Sequence, residues 1–339
     1  MKICTTCVLP ETFPGISFDE EGRCSYCMRY KGRENQEKVK ERFKQKFLTI
    51  LDKTRNTGPC DALIAYSGGK DSTYTLRLLK ENFNLKVLAI TFDHGFVSPM
   101  ALENIRTVTD NLDIDHISVR PGEKAIRSIF VKSMTSDIYP IKALERASSI
   151  CNSCMNLVKS FLLKTAIEMK VPIIAYGWSP GQAPIQSSVF KSNPFMVRQM
   201  QKAMIRPLQK MTDDRLSAFY LQEYHFKLAE GSQTDLFPYL VHPLAFFDYD
   251  EELILRKIKE IGWINPTDTD ANSTNCLLNS FANEVHIKQH RFHPYAFEIA
   301  GLVREGYMTR EEGLKKLSIP SDPKVIDYVK KKLGVEDTF

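Results

Sequence analysis

Between residues 61 and 176 short apolar runs alternate with segments whose apolar residues recur every three or four positions. Asp61–Ala65, Leu85–Phe92, Asp115–Val119 and Val171–Tyr176 read as strands, and 73–80, 101–112 and 155–170 as helices. This alternation predicts an α/β fold: a doubly wound, mostly parallel sheet with helices on both faces and ligands at the carboxyl ends of its strands. Residues 59–180 form that central domain. Ahead of it, residues 31–58 carry Val39, Phe43, Phe47, Ile50 and Leu51 at helical spacing. They predict an amphipathic linking helix that packs the N-terminal unit against the central domain, with its charges solvated. Beyond Pro180 the alternation breaks. Residues 181–245 read as a helical insertion and 246–339 as a helical C-terminal region, with one helix ending near Ile261 and another opening at the capping box Thr309–Glu312.

The stretch Ala65-Tyr66-Ser67-Gly68-Gly69-Lys70-Asp71-Ser72 joins the first strand to the first helix. Adjacent glycines let backbone approach a phosphate, and the free N–H groups of a first helical turn point at the anion. Ser67 and Ser72 add hydroxyl donors and Lys70 a point charge. Asp71 beside phosphates needs a cation between them, so the loop predicts a nucleotide with Mg²⁺ on Asp71. The spacing is not that of a Walker A loop. Ser67–Ser72 resembles the SGGxDS signature of the PP-loop ATP pyrophosphatases, of the adenine nucleotide α-hydrolase type, which cleave ATP between its α and β phosphates and leave AMP on a substrate oxygen. That resemblance implies that ATP contacts residues 65–72, that Lys70 and Asp71 are catalytic, that backbone after the second strand (Phe92, Asp93) holds the adenosine, and that the Gly177 turn borders the pocket.

Eight cysteines fall into a pattern. Cys4-x-x-Cys7 and Cys24-x-x-Cys27 are two knuckles within the first 30 residues, a segment too short to bury a core without a metal. They predict a structural zinc ribbon over 1–30, with an iron-sulfur centre as the alternative. Cys60, just ahead of the first strand, reads as core filler. Cys151-x-x-Cys154 opens the helix that leads to the Gly177 strand. There the helix N-terminus depresses thiol pKa values and suits redox chemistry, sulfur relay or metal ligation. Cys276 lies far downstream in the polar turn Asn272–Asn279. Three thiolates leave a zinc tetrahedron short of one ligand but can hold a [4Fe-4S] cluster with one iron open; a pair without a cluster, and Cys276 as filler, is the alternative.

The CxxC pair with a distant cysteine resembles the iron-sulfur-dependent tRNA thiolases of the 2-thiocytidine and 2-thiouridine type. It implies Cys151, Cys154 and Cys276 as cluster ligands and a sulfur donor as partner. Residues 4–27, the helix start Asp248–Glu252 and the segment Ile299–Glu312 look instead like the N-acetyl sugar amidotransferases of surface-polysaccharide synthesis. Those adenylate an acetamido oxygen that ammonia from a glutaminase partner displaces. That family does not carry the Cys151-x-x-Cys154 pair. The chain therefore reads as an amidotransferase frame fitted with a sulfur-transfer site. A non-catalytic zinc RNA-binding protein is the remaining class, and it would not need the intact loop.

The acceptor is left open between a tRNA base and a small molecule. A net charge of +5 permits an RNA partner without demanding one. Arg198, Lys202 and Arg206 repeat every four residues and share one face if helical, either gripping a phosphorylated or nucleic-acid substrate or lying in solvent. Met196, Met200 and Met204 read as core or a dimer face, and a homodimer is expected by analogy with PP-loop relatives. His94 could act as a base or be structural. His286, His290 and His293 read as phosphate contacts or plain surface. No long apolar run or signal-peptide plan occurs, so the expectation is a cytoplasmic protein with no membrane contact.

Overall fold

A computed structural model describes residues 1–182, 184–231, 235–269 and 273–336. Among them six strands form one sheet: β1 (Ala62–Ala65), β2 (Val87–Phe92), β3 (Asp115–Val119), β4 (Ile173–Tyr176), β5 (Val189–Lys191) and β6 (Tyr239–Val241), in the order β3-β2-β1-β4-β6-β5. All neighbours pair in parallel except β5 with β6. This is the doubly wound, mostly parallel α/β sheet that the alternation predicts.

Successive strand residues serve opposite layers, as a period of two requires. Ala62, Ile64, Val87, Ala89, Ile173 and Ala175 pack with Phe43, Phe47, Ile105 and Ile258 on one face. Leu63, Leu88, Ile90, Ile174 and Tyr176 pack with Leu162, Ala166, Val197 and Phe226 on the other. The chain leaves β1 toward β2 and β3 on one side and returns to β4 on the other. The carboxyl ends of β1 and β4 therefore flank the crevice where such sheets bind ligands.

Several expectations change. The stretch 181–245 is not wholly helical: its apolar runs at Val189 and at Tyr239–Val241 extend the sheet. The linking helix forms over Arg33–Thr54, yet its Phe43, Phe47, Ile50 and Leu51 enter the sheet core rather than holding the N-terminal unit. That unit shares a separate apolar core with Phe292, Ala296, Ile299 and Ala300, where Phe13 stacks on Phe297 at 5.5 Å. The first helix starts at Lys70 and ends in a π turn over Leu78–Asn82. No described helix is long and apolar enough to cross a membrane.

Candidate functional site

The glycine loop leaves β1 at the predicted position. Gly68 takes φ +72, and a Cβ there would lie 2.4 Å from the Ala101 carbonyl, so the turn admits only glycine. The indole of buried Trp263 donates to the Gly68 carbonyl at 2.9 Å. Ser67 and Ser72 hydroxyls meet at 3.1 Å, and the Gly69 amide donates to Ser67 Oγ at 3.4 Å. A Cβ on Gly177 would lie 2.4 Å from Ser72 Cα, which presses the exit of β4 onto the first turn of the loop helix. Ser67, Gly68, Gly69, Lys70, Asp71, Ser72 and Gly177 therefore form one structure, with Tyr66 buried beneath and Ala65 ending the strand.

Residues the sequence reading did not single out complete it. Lys70 Nζ lies 2.9 Å from Glu251 Oε1, 3.0 Å from the Tyr249 hydroxyl and 3.7 Å from Asp71 Oδ1. Tyr249 donates to Asp71 at 3.1 Å, and Ser179 donates to Glu298 Oε1 at 2.5 Å. Burial pushes Asp71 above the usual carboxylate range even though Lys70 opposes it. Burial pushes Glu298 up to about 7, and the charge of Asp71 adds to it. Glu251 also feels burial, but Lys70 and Lys316 outweigh it and hold it low. Among the described residues no carboxylate cage is preformed for a cation. The set suits Mg²⁺ held by one carboxylate and substrate phosphates, the ion's usual manner of binding.

The cysteine pair lies inside the helix Ser149–Met169, which starts six residues earlier than expected because Ser148 caps it by accepting from the Cys151 amide. Cys276 arrives from the C-terminal region. Its turn bridges to Val97, and Ser98 and Leu277 amides bond to Asn275 and Phe96 carbonyls. Asn272, the expected start of this turn, lies outside the described residues. Cys151, Cys154 and Cys276 pack on one apolar cluster, close enough that charge on Cys276 and Cys151 raises the pKa of Cys154. The same turn reaches the glycine loop: Thr274 Oγ1 accepts from the Lys70 amide at 3.0 Å.

The expected low thiol pKa values are overturned. Burial raises Cys151, raises Cys154 well above the ordinary thiol value and pushes Cys276 up to about 12, because desolvating a thiolate outweighs the hydrogen bonds that favour it, from Ser148 and Asn279 at Cys151 and from the Leu278 and Asn279 backbone at Cys276. A bound metal reverses that balance, since a coordinating thiol is deprotonated outright. His94 Nε2 stands 3.8 Å from Cys276 Sγ, and its Nδ1 accepts from the Phe96 amide at 3.2 Å. That bond places the neutral ring's proton on Nε2, aimed at sulfur, so His94 serves as a donor to Cys276 rather than a fourth ligand. Three sulfurs without a fourth protein ligand fit a cluster with one open iron.

The N-terminal cysteines make a different site. Cys4, Cys7, Cys24 and Cys27 sulfurs lie within 4.8 Å of one another, with Cys4–Cys27 at 3.8 Å and Cys7–Cys24 at 3.7 Å. Four sulfurs about 2.3 Å from one tetrahedral ion stand about 3.8 Å apart, so the set fits a single ion. Cys7 and Cys24 amides both point at Cys4 Sγ.

Asp93 gives its amide to the Val119 carbonyl and so has no free N–H for adenosine. Its side chain borders a cavity of about 480 Å³ with Gly95, Leu102, Arg120 and Tyr328. Phe92 is buried against Phe219. The basic stripe is broken: Arg198 is paired with Glu223 at 2.7 Å, and a π turn over Gln201–Ile205 separates it from Arg206. His286 is not surface but buried, with its pKa lowered to about 3 by desolvation, because it faces Phe292 inside its helix packing.

No protein-family model matches the chain. It is 23% identical over 325 residues, 95% of each chain, to an uncharacterized protein of Methanocaldococcus jannaschii. Among solved structures it is similar to the U34-tRNA thiolase NcsA from Methanococcus maripaludis with its [4Fe-4S] cluster, at 18% identity, 98% and 96% coverage of this chain and that one, and a TM-score of 0.37. It is similar also to the NH₃-dependent NAD synthetase from Campylobacter jejuni, at 13% identity, 88% and 93% coverage and a TM-score of 0.35.

Tyr249 and Glu251 lie in a stretch already marked by its resemblance to amidotransferases, and that was the signal available for them. Glu298 and Ser179 carried none.

Proposed function

We propose that the chain is an ATP-dependent sulfur transferase that adenylates a carbonyl oxygen and replaces it with sulfur. One observation carries this reading. The turn Ser273–Leu277 touches the glycine loop through Thr274 and, two residues on, delivers Cys276 to the Cys151–Cys154 pair. A glycine loop and a half-buried trio of thiols therefore share one wall.

In the first half-reaction the acceptor's carbonyl oxygen attacks the α-phosphorus of ATP and pyrophosphate leaves. Lys70 leaves its bonds to Glu251 and Tyr249 to meet the developing charge, and Asp71 would hold a Mg²⁺ ion, which would supply further positive charge to the phosphates. In the second, a sulfur nucleophile adds to the activated carbon and AMP departs with the oxygen. A [4Fe-4S] cluster on Cys151, Cys154 and Cys276 supplies that sulfur when bound. The four N-terminal cysteines hold zinc in this reading, and their role is structural. The acceptor is a tRNA base or a small molecule, and a sulfur donor is the partner.

Amide transfer to an N-acetyl sugar, with ammonia from a glutaminase, is the competing reading. Glu251 lies within, and Glu298 directly beside, the two stretches that carry that resemblance, and both stand at the loop.

Anaerobic purification followed by an absorption spectrum and iron, sulfide and zinc analysis decides between them. The expected result is a brown protein whose iron and sulfide are lost in Cys276→Ala while zinc persists. A colourless protein that forms AMP with ammonium as nucleophile overturns sulfur transfer. Failure of Asp71→Ala to reduce AMP formation overturns both.

A further inference from the structure

Beside the turn Ser179–Gly181, which Ser179 ties to Glu298, lies a small cavity of about 180 Å³, bordered by Gln36, Arg146, Gln186, Arg304 and Glu305. Its floor is the ring of Phe297, with the guanidinium of Arg146 4.3 Å and that of Arg304 5.9 Å from the ring centre. The helix Ala296–Arg304 explains the arrangement. Phe297, Gly301 and Arg304 follow one another at helical spacing and line the cavity, while Glu298 turns toward Ser179. Gly301 leaves room because it has no side chain, and its would-be Cβ comes within 3.5 Å of Gly181 Cα.

The two arginines lack the partners that half-buried guanidiniums normally have. Among the described residues neither has a carboxylate oxygen within 4.0 Å. Arg146 spends one nitrogen on the Gly181 and Gln182 carbonyls, at 2.8 and 3.3 Å. Arg304 Nη1 is buried without any hydrogen bond. An unmatched buried donor on a charged group is unfavourable, and a bound anion is the partner that satisfies it. The one acid in the wall, Glu305, has its pKa raised by burial against the pull of Lys40, Arg304 and a hydrogen bond from Gln36.

We propose that this cavity is the subsite for a small oxyanion of the acceptor molecule, a phosphoryl or carboxyl group gripped by Arg146 and Arg304. This rests on the reading of the neighbouring loop as the site where the acceptor is adenylated. Guanidiniums present paired donors that match the two oxygens of such a group, and both gain from sharing an aromatic floor. The volume is below that of pockets for whole drug-sized ligands, about 300–1,000 Å³. It holds the charged end of a small molecule while the remainder extends past Gly181 toward Glu298. The acceptor is therefore a small phosphorylated or carboxylated compound rather than an RNA, whose phosphates need an extended basic track.

The test is calorimetric titration of the full chain with inorganic phosphate and, separately, with succinate, while the loop is saturated with a non-hydrolysable ATP analogue and Mg²⁺. One probe is expected to bind in a single equivalent, and whichever it is names the group. Arg304→Gln should weaken that binding about tenfold or more, the loss of a charge-assisted pair, with nucleotide affinity unchanged. Gln186→Glu, on the exposed rim and away from the buried frame, should weaken it as well by placing a negative charge against the anion. Unchanged binding in both variants overturns the subsite, as does failure of both probes to bind the parent. Failure of the nucleotide to bind overturns the adenylation reading instead. The difference between parent and variants in the phosphate titration still reads the subsite in that case.

Discussion

Ser179 Oγ donates to Glu298 Oε1 across 2.5 Å, tying the turn after β4 to a helix 119 residues further along the chain. The bond secures the edge of the loop crevice and holds a carboxyl group beside Asp71 and Lys70 in a buried setting. That setting raises the Glu298 pKa to about 7.

The raised value makes a prediction about pH. The folded state binds the Glu298 proton more tightly than the unfolded state does, so the associated stability is full below the unfolded carboxyl pKa near 4.5. It is lost as pH rises through about 7. Glu298→Gln should flatten this part of the stability profile, matching the parent at pH 4 and exceeding it at pH 8 by up to about 3 kcal/mol. Denaturant melts of both proteins across that range check it; parallel profiles would refute the assignment.

Trp263 closes the loop from below through its bond to the Gly68 carbonyl. Trp263→Phe keeps most of the packing and removes the donor, and should cost about 1–2 kcal/mol, the usual loss for a buried hydrogen bond. The freed turn should also raise the KM for ATP more than it lowers kcat. Steady-state kinetics of AMP formation together with urea unfolding test both halves.

Gly177→Ala places a methyl group 2.4 Å from Ser72 Cα, against backbone that cannot step aside without moving the loop helix. The expected cost is about 1–3 kcal/mol, as for other overpacked sites, accompanied by loss of ATP binding. A nucleotide titration by fluorescence of Trp178 and Trp263 reads the second effect.

In the proposed reading the N-terminal ribbon depends on an ion held by its four cysteines. Cys24→Ser should abolish one equivalent of metal and open the apolar core that Phe13 shares with Phe292 and Phe297. A loss above about 4 kcal/mol is expected, because the metal supplies the folding energy of so short a segment. Zinc analysis and limited proteolysis near residue 30 measure it. The helix that carries Glu298 and Arg304 packs on this core, so the damage should reach nucleotide binding too.

Much of this was written locally. The strand-helix alternation, the loop Ser67–Ser72 and the two N-terminal knuckles are each encoded within a few consecutive residues. Their geometry follows from backbone conformation, glycine placement and sulfur spacing alone. The pattern could also be misread locally. A helix terminus at Cys151 suggested low thiol pKa values, whereas burial, invisible in one dimension, sets them high. The regular spacing of Arg198, Lys202 and Arg206 concealed a π turn and a carboxylate partner.

Four strands of the sheet, the glycine loop at the end of the first of them and the four-cysteine segment could be read from the chain alone, because each is specified by neighbouring residues. Which distant groups meet around them is set by the folded chain. Thr274 caps Lys70, Cys276 joins a pair more than a hundred residues earlier, and Glu251 and Glu298 surround the loop. Arg146 faces Arg304 over Phe297. The physical reason is that these contacts are held by packing between separate elements, and packing depends on how whole layers stack, which the order of residues within any one element does not state.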